Sequence, residues 1–355
     1  MARQATFAPP KSGAFDHGAY GTTRRRDAVK IAILGAGAWG SALSISLSGQ
    51  HSVALWGRDA TSMETLARDR VNERYLPGAA IPAAVNIVAE LERAIDDAEF
   101  ILIATSTGGL TDVVRAVAHT NLPILWACKG FDKITGKLPH ETIAAILPAR
   151  ARYGALSGPS FAMEVANGLP CALTLAANDF AFAQKTAAAL NGPALRIYSS
   201  DDLVGVELGG ALKNVMAIAA GIGDGMQLGL NARAALITRG LAEIVRLGVA
   251  MGGKAETFMG LTGLGDLVLT ATGDLSRNRN VGIGLAQGKA LAQILQELGH
   301  VAEGVNSAAT ALRLARERKV DMPITEAVNA VLFDGAEPRA TLKKILAREA
   351  RAEVR

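Results

Sequence analysis

Hydrophobic residues in the first half of the chain come in short runs of strand length, each followed by glycines or polar residues. The run KIAIL begins at Lys30, and similar runs begin at Ser52, Phe100 and Leu122. Segments with helical spacing of small and apolar residues separate them. Alternation of buried runs with helices is typical of a mainly parallel sheet with crossover helices. We therefore predict an α/β domain over residues 29–200.

The pattern changes at residue 201. Strand-like runs disappear, and residues 201–340 show helical periodicity interrupted by glycines, which predicts an all-α second domain. A basic segment, residues 341–355, follows. Residues 1–28 are rich in Gly, Pro, Thr and Arg without periodicity, and we interpret them as a disordered tail rather than an organelle-targeting segment.

Three glycines follow the first run in the spacing G-x-G-x-x-G. In a turn between a strand and a helix, Gly35 permits the tight turn, Gly37 the close approach of a pyrophosphate, and Gly40 the packing of the helix. The alternative is a structural glycine turn. The context favours a Rossmann-like site for a dinucleotide.

The second strand ends in Gly57, Arg58 and Asp59. An acidic residue at this strand end binds the ribose hydroxyl of NADH, whereas an arginine accommodates the additional phosphate of NADPH. We predict NADPH as the preferred cofactor, with NADH not excluded. Arg58 as a solvated loop charge is the alternative.

Polar groups also follow later strands of the predicted sheet. Ligands of open parallel sheets lie beyond the carboxyl ends of the strands, where Lys129 and the turn from Gly158 to Ser160 are expected. Lys129 would meet an anion or a carbonyl oxygen there, unless it is only an exposed loop lysine.

Lys213 lies in the apolar segment GGALKNVMAIAAGIG. On a helix its neighbours would be Gly209, Gly210, Ala217, Ala220 and Gly221, with Met216, so another helix or a ligand would approach this face closely. Loss of hydration lowers the pKa of a lysine and suits it to acid–base catalysis. The alternative is a lysine whose ammonium reaches a carboxylate such as Glu207.

Three polar clusters follow in the helical part. Asp266 and Thr270 stand in GLGDLVLTATG, Glu303 begins a probable helix, and Ser276, Arg277 and Asn278 form an SRN triplet. Arginine recognises phosphate by bidentate hydrogen bonds, although a helix N-cap with solvated arginines fits the triplet too. Together with the glycine loop and Lys213, the clusters indicate hydride transfer to or from a small phosphorylated alcohol or ketone.

Composition excludes several other classes. The chain has 355 residues, 50% hydrophobic and 20% charged, with a net charge of +4 spread along it and 5% aromatic residues, which is no nucleic-acid footprint. Both cysteines, Cys128 and Cys171, stand in apolar runs, which favours a reducing cytoplasm. We expect no metal site, and no stretch long enough to span a membrane.

The chain resembles the NAD(P)-dependent sn-glycerol-3-phosphate dehydrogenases of the bacterial biosynthetic type. The resemblance covers residues 29–333 in order. It rests on GAGAWG, NERYLPG, CKGF, SGPSFA, the segment from Gly210 to Glu243, GLGD, SRNRNVG and AEGV. It implies reduction of dihydroxyacetone phosphate to sn-glycerol 3-phosphate for phospholipid synthesis, in a cytoplasmic homodimer without a membrane anchor.

The resemblance also implies residue roles. Lys213 would exchange the proton, and Lys129 would contact both cofactor and substrate. The remaining substrate residues would be Gly158, Ser160, Asn214, Asp266, Thr270, Ser276, Arg277 and Asn278. The cofactor residues would be Gly35, Gly37, Ala38, Trp39, Gly40, Arg58, Ala162, Arg277, Val301 and Glu303.

Two positions depart from the family pattern. The family commonly has Ser or Thr where this chain has Ala38, and Pro where it has Thr105. Both bear on affinity for the cofactor. Two other hypotheses remain open at this stage: a dinucleotide-binding sensor or scaffold without turnover, and a dehydrogenase of β-hydroxy acids, which would need a carboxylate site instead of a phosphate site. A membrane-associated flavin enzyme is disfavoured.

Overall fold

The computed structural model describes residues 28–299 and 302–346. The predictions made for the tail up to residue 27, for Val301 and for residues 347–355 lie outside these ranges. The strands are β1 (Lys30–Leu34), β2 (Ser52–Trp56), β3 (Val71–Asn72), β4 (Leu76–Ala80), β5 (Val85–Val88), β6 (Phe100–Ile103), β7 (Ile124–Trp126), β8 (Tyr153–Ser157), β9 (Cys171–Ala177) and β10 (Leu195–Ser200).

The helices divide into two groups along the chain. Those of the sheet-forming part are α1 (Ala38–Leu47), α2 (Ala60–Asp69), α3 (Leu91–Ile95), α4 (Thr107–Val117), α5 (Pro139–Ala144), α6 (Ala162–Ala166) and α7 (Phe180–Leu190). Those that follow are α8 (Leu203–Gly225), α9 (Gly229–Ala250), α10 (Ala255–Met259), α11 (Asp266–Thr272), α12 (Arg277–Ala286), α13 (Leu291–Leu298), α14 (Glu303–Glu317), α15 (Pro323–Phe333) and α16 (Pro338–Leu346). A 3₁₀ turn (Ala118–Thr120) and a π-helical turn (Leu261–Gly265) complete the set.

Eight strands form one sheet in the order β10-β9-β8-β7-β6-β1-β2-β5. All neighbours are parallel except β8 and β9. This confirms the predicted Rossmann-like domain with a mainly parallel sheet, and the helices from α8 onwards confirm the all-α second part. The direction of strand succession reverses between β1 and β6. Ligands of such sheets bind at that switch point, beyond the carboxyl ends of the strands.

Three short strands were missed by the sequence analysis. β5 pairs with β2 at the edge of the sheet, and β3 and β4 form an antiparallel pair outside it. The polar residue Asn86 interrupts β5, so this strand lacks the continuous apolar run that marked the central strands. Helix α16 continues beyond residue 340, where the sequence analysis ended the helical part.

Helix α8 is the centre of the second part of the chain. It spans 23 residues and is long and apolar enough to cross a membrane, so the expectation that no stretch reaches that length was wrong. However, 89% of its most apolar window is buried inside the protein. A helix that is apolar on all sides and surrounded by other elements is a core helix.

The glycine-rich face of α8 packs against backbone. A Cβ on Gly221 would overlap the carbonyl oxygen of Arg279 in α12, and one on Gly209 would come within 2.6 Å of the carbonyl oxygen of Thr262. A Cβ on Gly282 of α12 would overlap the carbonyl oxygen of Ile218 in turn. The small residues therefore allow α8 and α12 to approach at backbone distance. At Gly209 and Gly221, protein backbone and not a ligand lies against the face of α8.

Candidate active site

The glycine loop lies at the switch point of the sheet. Gly35 has φ +125°, a conformation that favours glycine, and a Cβ there would be 2.8 Å from the backbone of Ala104 and Thr105. A Cβ on Gly40 would overlap the carbonyl oxygen of Gly35, whereas one on Gly37 would meet nothing within 4 Å. Gly37 therefore leaves open space in front of the N-terminus of α1, where a pyrophosphate fits.

Two alanine substitutions separate these roles. Gly37→Ala is expected to leave the melting temperature nearly unchanged and to weaken NADPH binding about tenfold or more, because its methyl group enters only the ligand's space. Gly40→Ala is expected to cost about 1–3 kcal/mol of folding free energy through overlap with Gly35. Calorimetric melting and NADPH fluorescence titration measure both. Unchanged NADPH affinity in Gly37→Ala would contradict the assignment.

The end of β2 presents an arginine without a competing acid. Arg58 is exposed. Asp59 caps α2, since its carboxylate accepts a hydrogen bond of 2.6 Å from the backbone N–H of Ser62; hydrogen bonds from the hydroxyl and then the backbone N–H of Ser62 lower the pKa of Asp59. One oxygen of the carboxylate beside Arg58 is thus engaged in the helix cap.

Lys213, Asp266 and Thr270 meet at the centre of the second part. The prediction that Lys213 lies on a helix is confirmed, because it stands in the middle of α8 and is 7% exposed. Its Nζ donates to Oδ1 of Asp266 and, over 2.7 Å, to Oγ1 of Thr270. The hydroxyl of Thr270 donates in turn to the backbone oxygen of Asp266 over 2.6 Å.

The surroundings tune the acidity of Lys213. Burial lowers its pKa to about 7; Asp266 opposes this shift, and the nearby charge of Lys129 adds to it. The ammonium does reach a carboxylate, but the proposed partner Glu207 was wrong: Glu207 lies nearly two turns earlier on α8 and is occupied by Trp126 and His140.

Asp266 also binds the second lysine. Nζ of Lys129 donates to Oδ2 of Asp266 over 2.7 Å and to the carbonyl oxygen of Gly158 over 2.9 Å. Ser160 donates to that same carbonyl over 3.1 Å. Gly158 has φ +141°, a conformation that favours glycine. Strand ends β7 and β8 thus bring Lys129 to the carboxylate that holds Lys213.

The SRN triplet opens α12. Oγ of Ser276 accepts a hydrogen bond of 3.2 Å from the backbone N–H of Arg279, so this serine is the helix N-cap that sequence reasoning offered as an alternative. Arg277 follows as the first residue of the helix and is exposed. Surrounding chain removes part of the hydration of its guanidinium and lowers its pKa, while Glu303 opposes the shift. A helix N-terminus with an arginine attracts phosphate.

Two asparagines connect this helix to α8. Nδ2 of Asn278 donates to Oδ1 of Asn214 over 2.9 Å, and Oδ1 of Asn278 accepts from the backbone N–H of Gly304 over 2.9 Å. Asn214 is the immediate neighbour of Lys213. The side chains hold α8, α12 and α14 together beside the lysine.

Glu303 begins α14 and faces the end of β6. Its Oε2 accepts a hydrogen bond of 3.1 Å from Oγ1 of Thr107, which lies beyond a strand end in the ligand region expected from the sequence but had no individual role assigned to it. Burial raises the pKa of Glu303, while Thr107 and Arg277 oppose the shift. Among the other predicted cofactor residues, Ala38, Trp39 and Ala162 are half-buried at the starts of α1 and α6, which pack together.

Two buried hydroxyl groups near Lys129 and Gly130 have no partner. Within residues 28–299 and 302–346, four buried side-chain atoms lack a hydrogen bond, and Oγ of Ser157 and Oγ of Ser307 are two of them. Ser157 and the stem of Lys129 both face Gly210 of α8, and Ser307 faces Gly130. Unsatisfied buried polar groups are costly and concentrate at functional sites.

The glycine loop lies at the switch point of the sheet, and the same chain carries a buried lysine whose pKa is near neutral. Together these features define a class of protein, the dinucleotide-dependent dehydrogenases. Two family profiles match this chain. The profile described as the N-terminus of NAD-dependent glycerol-3-phosphate dehydrogenase matches residues 30–183, and that of the C-terminus matches residues 202–343. The chain belongs to the NAD-dependent glycerol-3-phosphate dehydrogenase family.

Individual relatives agree with this assignment. A glycerol-3-phosphate dehydrogenase (NAD(P)+) of Paucimonas lemoignei is 55% identical over 330 residues, covering 92% of this chain and 98% of the relative. One of Thiobacillus denitrificans is 56% identical over 327 residues, covering 92% and 100%. The crystal structure of glycerol-3-phosphate dehydrogenase from Coxiella burnetii is 39% identical, covers 90% of this chain and 99% of its own, and has a TM-score of 0.85.

Proposed function

We propose that this protein reduces dihydroxyacetone phosphate to sn-glycerol 3-phosphate with NADPH or NADH, and catalyses the reverse oxidation. The carrying observation is the pair of lysines, Lys129 and Lys213, held by the two carboxylate oxygens of Asp266. Two ammonium groups and one carboxylate leave one positive charge, which matches the negative charge that develops on a ketone oxygen as it receives hydride.

The chain's own groups divide the work. Arg277 and the N-terminus of α12 bind the substrate phosphate, so that binding energy far from the reacting carbon orients the ketone. Nζ of Lys213 gives its proton to the ketone oxygen, and Lys129 stabilises the charge on that oxygen. Asp266 keeps both ammonium groups in place. The bound nicotinamide cofactor supplies the hydride.

Other residues complete the proposed site. Gly158, Ser160, Asn214, Thr270, Ser276 and Asn278 line the substrate; Gly35, Gly37, Ala38, Trp39, Gly40, Arg58, Ala162, Val301 and Glu303 belong to the cofactor. We assign cofactor binding to residues 29–200 and most of the substrate site to residues 201–340. We further propose a cytoplasmic homodimer without a membrane anchor that supplies glycerol phosphate for phospholipid synthesis.

The direct test is the loss of NADPH absorbance at 340 nm on adding dihydroxyacetone phosphate, with dihydroxyacetone and a β-keto acid as comparisons. We expect turnover of the phosphorylated ketone and little turnover of the other two, because α12 offers a phosphate site. Turnover of the β-keto acid alone would overturn the proposal, and absence of any oxidation would leave a binding protein.

Cofactor preference depends on Arg58 in this proposal. Arg58→Ala is expected to raise KM for NADPH about tenfold or more and to change KM for NADH little, because a hydrogen bond to a charged phosphate contributes about 1.5–3 kcal/mol. Arg68→Ala is the control, since Arg68 is an exposed arginine that pairs with Asp69. Equal effects on both cofactors would contradict the role of Arg58.

A further inference from the structure

Helix α8 carries a second buried charged group, Glu207, six residues before Lys213. The side chain is 3% exposed. Its Oε1 accepts hydrogen bonds of 3.1 Å from Nε1 of Trp126 and of 3.0 Å from the backbone N–H of His140. Its Oε2 is hydrogen-bonded to Nδ1 of His140. The carboxylate therefore has partners on two other elements, β7 and α5, and none of these contacts belongs to the proposed chemistry.

The partners of Glu207 lie on the segment that leads to Lys129. Trp126 is the last residue of β7, three residues before Lys129. Glu207 thus joins the strand that precedes one lysine to the helix that carries the other. Charge-assisted hydrogen bonds to a buried carboxylate are stronger and shorter than neutral ones. The two lysines meet at Asp266, so a shift of β7 along α8 would change both of their contacts.

We propose that Glu207 is a positioning residue that sets the register between β7 and α8, and hence the placement of Lys129 and Lys213 around Asp266. The inference rests on the proposed function and deepens it. Displacement of a reacting group by about 1 Å can cost on the order of 10²-fold in rate. A buried carboxylate at this point is therefore expected to act on turnover without touching the substrate.

The charge state of this contact depends on its surroundings. Burial raises the pKa of Glu207, opposed by His140 and Trp126. Burial lowers the pKa of His140, but Glu207 and then Glu141 more than offset it, so the net shift is upward. His140 therefore retains its proton to higher pH than a free histidine does, and Glu207 to higher pH than a free glutamate does. Cys128 also lies near Glu207, whose charge raises the pKa of the thiol further after burial and Glu303.

The test compares Glu207→Gln with a matched control, Glu243→Gln. Glu243 is also a buried carboxylate with three hydrogen bonds, from the backbone N–H groups of Ile324 and Thr325 and the hydroxyl of Thr325 at 2.6–3.1 Å, but it caps α15. We expect Glu207→Gln to lower kcat about tenfold or more with little change in NADPH affinity. Glu243→Gln is expected to lower only the melting temperature.

A second readout needs no turnover. Competitive labelling of lysine amines across a pH series, read by mass spectrometry, gives the protonation midpoint of Lys213 in the apoprotein. Glu207→Gln should move this midpoint, because the distances from Lys213 to Asp266 and Lys129 change. The midpoint of Lys254, an exposed lysine paired with Asp201, should stay unchanged. Glu243→Gln should move neither.

The outcomes separate the two proposals. If the wild type does not reduce dihydroxyacetone phosphate, the proposed function fails, while the labelling midpoint still decides the role of Glu207. If Glu207→Gln keeps both kcat and the Lys213 midpoint, or alters them no more than Glu243→Gln does, the positioning role is overturned. His140→Gln keeps the backbone N–H contact and takes over as the deciding variant should Glu207→Gln not fold; we expect it to move the Lys213 midpoint and leave the Lys254 midpoint unchanged.

Discussion

Lys213→Met is expected to lower kcat for ketone reduction about 10²–10⁴-fold, the contribution typical of a positioned proton donor. Methionine keeps the unbranched apolar stem and suits the 7% exposed site, so the fold and the affinity for NADPH should be retained. Steady-state oxidation of NADPH at 340 nm measures the loss, and fluorescence titration measures the affinity.

The control for this variant is Lys254→Met. Lys254 is an exposed lysine whose Nζ lies 2.7 Å from Asp201, outside the site. It should retain wild-type kcat. If Lys213→Met kept about a tenth or more of kcat in the folded protein, Lys213 would not be the proton donor, and its bond to Asp266 would be structural only.

The pH dependence has a definite sign. Because the pKa of Lys213 is lowered to about 7, its ammonium form is lost as the pH rises above neutrality. Reduction needs the ammonium, so kcat for reduction should fall across this range. Oxidation of glycerol 3-phosphate needs the neutral amine and should rise. A flat profile for both directions between pH 6 and 9 would contradict the assignment.

Asp266→Asn is the second large expected effect. Asp266 is 1% exposed and is the carboxylate that both lysines share, so its neutral replacement leaves two ammonium groups facing each other. Removing one partner of a buried pair typically costs about 3–5 kcal/mol, although release of the proton from Lys213 reduces that cost. Since Asp266 raises the pKa of Lys213, its loss should move the basic limb of the reduction profile to lower pH.

Asp274→Asn serves as the control for that experiment. Asp274 lies in the same segment, is almost fully exposed and binds Arg279 over 2.9 Å. Its replacement should leave both melting temperature and pH profile near those of the wild type. A basic limb that stayed in place in Asp266→Asn would show that Asp266 does not control the protonation of Lys213.

The local pattern of hydrophobic residues and glycines was sufficient to predict much of the fold. The central strands of the sheet are buried on both faces, so their sequences are continuous apolar runs, and the glycine spacing after β1 is a local feature. In the edge strand β5, the polar Asn86 is exposed and Ile87 is half-buried, so its sequence contains no such apolar run. Its pairing with β2 is a tertiary contact that a local window does not contain.

Prediction of the complete site required tertiary contacts that a local sequence pattern does not contain. Sequence reasoning singled out Lys129, Lys213 and Asp266 separately. As the alternative to a catalytic role, it offered Glu207, the acid nearest in sequence, as a partner of Lys213. Six residues along a helix place two side chains nearly two turns apart, on different sides. Asp266 lies 53 residues beyond Lys213, and only the packing of α11 on α8 brings the two together.

The backbone contact between α8 and α12 fixes a length. One helix carries the proposed proton donor and the other opens at the proposed phosphate site, and no flexible side chain separates the helices at Gly221 and Gly282. The distance between the proposed phosphate site and the proposed proton donor is therefore fixed by backbone packing. Phosphorylated ketones with one more carbon between the phosphate and the ketone should bind and yet be reduced slowly. The enzyme would then select its substrate by the distance between these two groups as well as by charge.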